Sequence, residues 1–150
     1  MFVLPIPKIG TQRHCFAPHP NPAFSPQTGV ELKYFVDACL ELSPKGDCPN
    51  DPHGAIGEWE VSSITGMDKI FFGAEFFNGD ISEWDVSSVT TAAAMFVDAA
   101  SFNGDLSKWD VSSVTNMAAM FGGATVFNSD LSKWDVSHVT DMFGIFGGRC

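Results

Sequence analysis

Four tryptophans recur at a fixed spacing of 25 residues, and this regularity constrains the fold more than any other feature. They are Trp59, Trp84, Trp109 and Trp134, and the text around them stays in register, from "WEVSSITGM" through "WDVSSVTNM" to "WDVSHVTDM". A strict period between roughly 20 and 50 residues is typical of units that bury their apolar face by stacking on their neighbours. The sequence therefore predicts a repeat protein, and repetition of the same residues favours architecture over a catalytic site.

Each repeat combines two apolar periods. The first part has the LxxLxL spacing of a short inward-facing strand, as in Leu106, Trp109 and Val111. The second part has the spacing i, i+3, i+4 and i+7 of one helical face, which the third repeat fills with Met117, Met120, Phe121 and Ala124. A threonine precedes each predicted helix as its expected N-cap: Thr65, Thr90, Thr115 and Thr140. We expect an α/β solenoid over residues 58–150, with leucine-rich-repeat-like right-handed coils of one short strand and one short helix.

An asparagine lies in the turn that leads back to the next predicted strand. Asn78, Asn103 and Asn128 occupy this place within "FNGD" or "FNSD". Asn tolerates positive φ, and its side chain can bond to backbone groups that a turn leaves unpaired. We expect the three side chains to stack as an internal ladder beneath the turns.

The sequence before the repeats divides into two parts. Residues 29–57 contain "ELKYFVDACLEL", whose apolar spacing predicts a helical N-terminal cap for the first repeat. Residues 1–28 hold six of the nine prolines, which predicts an extended arm that lies along the repeats or along a partner. The opposite end of the stack, after Gly148, is expected to be adhesive because it would expose apolar side chains and an unpaired edge.

Four cysteines allow three full disulfide pairings. Cys39 and Cys48 are the expected pair, because this bridge would tie the cap helix to the loop "SPKGDCPNDP". Such a bridge implies an oxidising compartment. For Cys15 and Cys150, a bridge, free thiols and a link to another chain all remain open. The alternative to the disulfides is a zinc site in which His14, His19 and His53 would join the cysteines as ligands. The lack of a CxxC pair disfavours this alternative.

The formal net charge of −10 argues against nucleic acid and against anionic lipid as partners, because the eight Lys and Arg residues form no basic patch. No apolar stretch approaches the roughly 18 residues that span a bilayer. The start "MFVLPIPKIG" lacks the basic region and the cleavage site of a signal peptide. A plain stack of repeats also lacks a cleft where nucleophile, base and orienting group converge, so we expect no enzyme activity, cofactor or metal.

The outward positions of the predicted strands form a candidate partner-binding face. Its polar residues recur from repeat to repeat: Asp85, Ser87, Lys108, Asp110, Ser112, Lys133, Asp135, Ser137 and His138. Stacked aspartates repel one another, and we expect hydrogen bonds from Ser and backbone groups, helped by the two lysines, to offset this repulsion. The alternative is calcium held between this aspartate row and the row Asp80, Asp105 and Asp130, although no loop repeats a calcium signature.

The strings "FNGDLSKWDVSSVTNMAAMF" and "GAIGEWEVSSITGM", after "ELKYFVDACLELSPKGDC", resemble the BspA-like leucine-rich-repeat surface proteins, also described as the DUF285 or mycoplasma lipoprotein repeat family. The resemblance covers roughly residues 29–148. The sequence departs from the family pattern in its arm, in its few repeats, and at Thr91 and Ala92, where "NM" is expected. The resemblance implies a leucine-rich-repeat-like solenoid on secreted or cell-surface proteins, with roles in adhesion and protein binding.

These observations predict a non-enzymatic protein–protein interaction module at the cell surface, outside the cell or in another oxidising compartment such as an organelle lumen. The alternative is a peripheral structural subunit of a larger multiprotein complex, membrane-bound or otherwise, held by its arm and its open end. A calcium-dependent binder is a third and weaker hypothesis.

Overall fold

The computed structural model describes residues 22–148, and its first element is the helix α1, Gly29–Leu42. The Thr28 hydroxyl accepts a hydrogen bond from Glu31 N at 3.1 Å, and Gln27 N donates to the Glu31 carboxylate at 2.8 Å. These bonds satisfy N–H groups at the start of the helix. α1 ends at Ser43, whose N–H donates to Cys39 O at 2.8 Å. The predicted helix in this region is confirmed.

The buried face of α1 carries Leu32, Val36 and Cys39, three of the residues whose spacing predicts it. Cys39 forms the expected disulfide with Cys48, with Cα atoms 5.7 Å apart. A short 3-10 helix, Ile56–Glu58, then leads into the first repeat. Other predicted features lie outside the described residues: the first 21 residues of the arm, with Cys15, His14 and His19, and the last cysteine, Cys150.

The repeats consist of consecutive turns, and the predicted α/β solenoid of strand-plus-helix units is wrong. Within residues 22–148, helix is confined to α1 and the 3-10 helix. The β structure in the same range consists of isolated parallel bridges between successive repeats: Gly66 with Thr91, Thr91 with Asn116, and Asn116 with Asp141.

Turns interrupt the segment that the LxxLxL spacing predicts to be a strand. Trp109 N donates to Leu106 O at 3.1 Å, and Val114 N donates to Val111 O at 3.0 Å. Leu106, Trp109 and Val111 are nevertheless buried, as the spacing requires. A three-residue turn returns the next apolar side chain to the same face. The same spacing of apolar residues therefore fits both a strand and a series of turns.

In the segment predicted to be a helix, alternate N–H groups bond to the next repeat, and those of Met120 and Gly122 close three-residue turns onto Met117 O and Ala119 O. The N–H groups of Met117, Ala119 and Phe121 donate to carbonyls of the fourth repeat, each at 2.8 Å. Ala119 has φ 54° and Gly123 has φ 71°, and a right-handed helix accommodates neither value. The apolar face is still buried, because alternating turns also place these side chains inside.

Threonine links the repeats and does not cap helices, which corrects a second expectation. In each successive pair, the threonine N–H and Oγ1 donate to the threonine carbonyl of the preceding repeat, at 2.8 and 3.1 Å. This ladder runs through Thr65, Thr90, Thr115 and Thr140. Hydrogen bonds between repeats therefore replace those that a helix would make within one repeat.

The asparagine ladder is confirmed, although it is not internal. Asn103 N donates to Asn78 Oδ1 at 2.9 Å, and Asn128 N donates to Asn103 Oδ1 at 2.7 Å. All three residues are exposed to solvent. Each side chain satisfies a backbone group of the next repeat from the outside.

Aromatic side chains stack along the core in register with the repeats. The rings of Phe71, Phe96 and Phe121 follow one another at 5.4 and 5.5 Å between centroids, within 8° of parallel. A second row joins Phe77 to Phe102 at 5.7 Å. These rows of buried Phe rings run from repeat to repeat and supply much of the apolar bulk of the core.

The segment before the first repeat closes one end of the stack. Phe24 O accepts a hydrogen bond from Glu60 N at 2.8 Å, and the Phe24 ring lies edge-on to Trp59 at 5.3 Å. Gly29 packs so tightly against Gly66 that a Cβ on Gly29 would lie 2.1 Å from Gly66 O. The apolar face of the first repeat is thus covered by this segment and by α1.

Candidate protein-binding surfaces

The predicted polar face exists as a row of exposed aspartates, one in each of the last three repeats. Each carboxylate oxygen Oδ1 accepts a hydrogen bond at 3.0 Å from the N–H of the serine two residues later. The pairs are Asp85 with Ser87, Asp110 with Ser112, and Asp135 with Ser137. Each aspartate therefore caps a turn of its own repeat.

These local bonds outweigh the repulsion between stacked carboxylates. The Ser87 hydroxyl, 2.6 Å from Asp85 Oδ1, is the main cause that lowers the pKa of Asp85, and the Ser87 N–H adds to it. The neighbouring Asp110 raises the pKa of Asp85, but by less. The expected offset of the repulsion by serine and backbone groups is confirmed.

The lysines act on the other aspartate row, which corrects the expected role of Lys108 and Lys133. Lys108 forms an ion pair with Glu83. The pKa of Asp105 is lowered first by the Ser107 hydrogen bonds and then by the two lysine charges. His138 is exposed and lowers the pKa of Asp135 only after the contribution of Ser137.

The second aspartate row repeats the same turn cap. Asp80, Asp105 and Asp130 accept hydrogen bonds at 3.0, 2.9 and 2.9 Å from the serine N–H two residues later. Over residues 22–148, no three or more His, Cys, Asp or Glu side chains come together as a group that could hold a metal ion. His53, the described histidine of the zinc alternative, has its Nδ1 2.7 Å from Asp51 Oδ1.

A different surface appears at the far end of the stack, and we call it the end surface. It consists of the exposed apolar residues Val136, Met142, Phe143 and Phe146 of the fourth repeat. Phe146 continues the core row of Phe121 at 5.6 Å, yet it is 62% exposed, whereas Phe121 is 2% exposed. Val136, Met142 and Phe146 thus stand where the third repeat has the buried Val111, Met117 and Phe121, whereas Phe143 stands where it has the half-buried Ala118.

The backbone of the end surface carries unpaired donors. In the third repeat, the N–H groups of residues 117, 119 and 121 bond to the carbonyls of residues 141, 143 and 145. The equivalent N–H groups one repeat later belong to Met142, Gly144 and Phe146, and no carbonyl within residues 22–148 accepts from them. The edge of the stack thus presents a row of donors beside apolar side chains.

Sequence reasoning predicted an adhesive end but not the residues that form it. Phe143 is 86% exposed and replaces Ala93 and Ala118 of the earlier repeats. The signal was available in the sequence as a large aromatic residue at a position that holds Asp68, Ala93 and Ala118 in the earlier repeats. The partner-binding role of the polar aspartate face stays a prediction, because its turn caps explain the aspartates without a partner.

Within residues 22–148, no helix has both the length and the apolar character to cross a membrane.

No curated protein and no solved structure matches the chain. A family model described as "Mycoplasma protein of unknown function, DUF285" matches residues 47–149, which is more than half of the chain. The family resemblance drawn from the repeats is therefore confirmed in this part. The chain belongs to the DUF285 family.

Proposed function

We propose that this protein is a non-enzymatic protein–protein interaction module that binds its partner through the end surface. The observation that carries the proposal is the exposure of Phe143 and Phe146 beside the unpaired N–H groups of the fourth repeat. Exposed apolar surface next to an open backbone edge is typical of a site that another polypeptide covers.

The chemistry of the end surface defines what a partner must offer. It must bring apolar side chains to cover the Phe146 ring, and carbonyl oxygens to accept from Met142, Gly144 and Phe146. An extended or turn-built segment that adds to the edge of the stack supplies both, as in recognition by strand addition. A folded protein with such an edge segment is the kind of partner we propose.

The non-enzymatic part of the proposal rests on repetition. The same Asp and Ser pair caps the same turn in successive repeats, so these polar residues have a structural use. The Cys39–Cys48 disulfide supports an oxidising compartment, either the cell surface and exterior or an organelle lumen. Surface recognition and a structural role in a larger complex would use the same end surface and differ in how long the partner stays bound.

The experiment compares native protein with two variants by gentle extraction, size-exclusion chromatography and mass spectrometry. Phe143→Ser removes the most exposed ring of the end surface, and Tyr34→Ser removes an exposed ring of α1 as the matched control. We expect a co-eluting protein that is lost with Phe143→Ser and kept with Tyr34→Ser. A lone monomer, or a partner that Phe143→Ser retains, would contradict the proposal.

Diluting the complex and raising the salt concentration then distinguish a structural subunit from a module for transient surface recognition. A complex that survives both supports a structural subunit. A complex that dissociates on dilution supports transient surface recognition.

A further inference from the structure

A groove lies between the second half of α1 and the first repeat, away from the end surface. Its volume is about 440 Å³. One wall consists of α1 residues and Pro44, and the other consists of residues 72–76. The lining includes the side chains of Leu40, Glu41, Pro44, Phe72, Glu75 and Phe76.

Two phenylalanines of this groove depart from the repeat pattern. Phe72 and Phe76 stand where the second repeat has Val97 and Ser101. They are 46% and 59% exposed, so they contribute little to the core. The first repeat, which is the one beside α1, thus carries extra aromatic surface that its own packing does not need.

The charge of the groove is negative. Glu41 and Glu75 line it and form no ion pair with any described residue. Asp37, which also lines it, is paired with Lys33. The Lys69 ammonium lies 6.0 Å from the Phe72 ring centroid, outside the lining. The groove therefore suits a segment that joins apolar side chains to a positive charge.

We propose that this groove binds residues 1–21 of the same chain. That segment contains Lys8 and Arg13 but no acidic residue, whereas all 18 acidic residues of the protein lie in residues 22–148. It also supplies apolar side chains for the exposed rings, among them Phe2, Leu4 and Ile6. The segment is complementary to the groove in both charge and apolar surface.

Because residues 1–21 are covalently attached to the rest of the chain, they can reach the groove and are present near it at high local concentration. Twenty-one extended residues span up to about 70 Å, whereas the 14 residues of α1 cover about 21 Å. Tethering raises the effective concentration of the segment to the millimolar range, so a site with weak intrinsic affinity is still filled. A separate basic peptide would have to compete with it.

Photo-crosslinking in the full-length chain tests the proposal. The photoreactive residue p-benzoylphenylalanine replaces Phe76 in one sample and Val126, the exposed equivalent in the third repeat, in the control. Peptide mapping then locates the cross-links. We expect cross-links from position 76 to residues 1–21 within one chain, with a yield at least fivefold above that from position 126.

The other results would overturn the proposal. Cross-links from position 76 in a dimer-sized product would assign the groove to a second copy. The absence of cross-links to residues 1–21, or an equal yield from position 126, would remove this segment as the occupant. In the Glu41→Gln/Glu75→Gln double variant we expect the yield to fall at least threefold, and an unchanged yield would overturn the charge-based choice of occupant.

Discussion

The indole N–H of Trp109 donates to the carbonyl of Ile81, 28 residues earlier in the chain, at 3.0 Å. Trp84 makes the same bond to Ile56 O at 3.1 Å. The conspicuous period of the sequence therefore corresponds to a hydrogen bond from each repeat to the one before it. Tryptophan at this position combines apolar bulk for the core with a donor for a buried carbonyl.

Replacing Trp109 by Phe should weaken this link between repeats. The variant removes one of the two donors to Ile81 O, which keeps its hydrogen bond from Trp84 N at 3.2 Å, and it loses part of the packed ring. We therefore expect the free energy of unfolding to fall by about 1–3 kcal/mol. Trp134→Phe is the control, because Trp134 makes the equivalent bond at 2.9 Å from a half-buried position. Urea denaturation measures both, and equal losses would contradict the dependence on burial.

Ala119→Gly distinguishes the observed turns from a helix by the sign of its effect. With φ 54° at Ala119, glycine relieves left-handed strain and should stabilise the protein by roughly 0.5–1 kcal/mol. In a helix the same change would destabilise it by about 1 kcal/mol. Ala118→Gly serves as the control because Ala118 has no positive φ, and it should destabilise. Loss of stability with Ala119→Gly in chemical denaturation would argue against the turns.

Loss of the Cys39–Cys48 disulfide should destabilise the N-terminal end of the stack. The bridge closes a loop of sequence separation 9, for which chain entropy predicts about 2–3 kcal/mol. The test compares thermal unfolding with and without reductant in a Cys15→Ser/Cys150→Ser background. A melting temperature that reductant leaves unchanged would contradict the bridge.

The aspartate turn caps predict a loss of stability in acid. The folded-state pKa values of Asp85, Asp110 and Asp135 lie below 3.8, chiefly because serine side chains bond to the carboxylates. Their contribution is therefore complete above the unfolded value of 3.8 and is lost as the pH falls through the lowered values. Replacing the three by Asn keeps an acceptor but removes the titrating group, so the free energy of unfolding should depend less steeply on pH below 3.8. Denaturation curves are measured at a series of pH values. A free energy of unfolding that depends on pH as steeply in the variant as in the wild type would refute this prediction.

Several features could be predicted because they depend on local chemistry. The spacing of apolar residues identified side chains that are buried, among them Leu106, Met117 and Phe121. The helix α1 followed from the apolar face of "ELKYFVDACLEL", and the close pair Cys39 and Cys48 followed from the loop between them. Each of these depends on a few neighbouring residues.

The repeat register, the side chains that face inward and the family all follow from the spacing of residues along the chain. The backbone path depends on tertiary contacts, because the N–H of Met117 has two possible kinds of partner, a carbonyl within its own repeat or one in the next repeat. Side-chain spacing is nearly the same for both, and the stacked neighbour supplies the acceptor, Asp141 O at 2.8 Å. Stacking likewise explains the end surface, since within residues 22–148 Phe121 and Phe146 occupy equivalent positions and only Phe121 is covered by a following repeat.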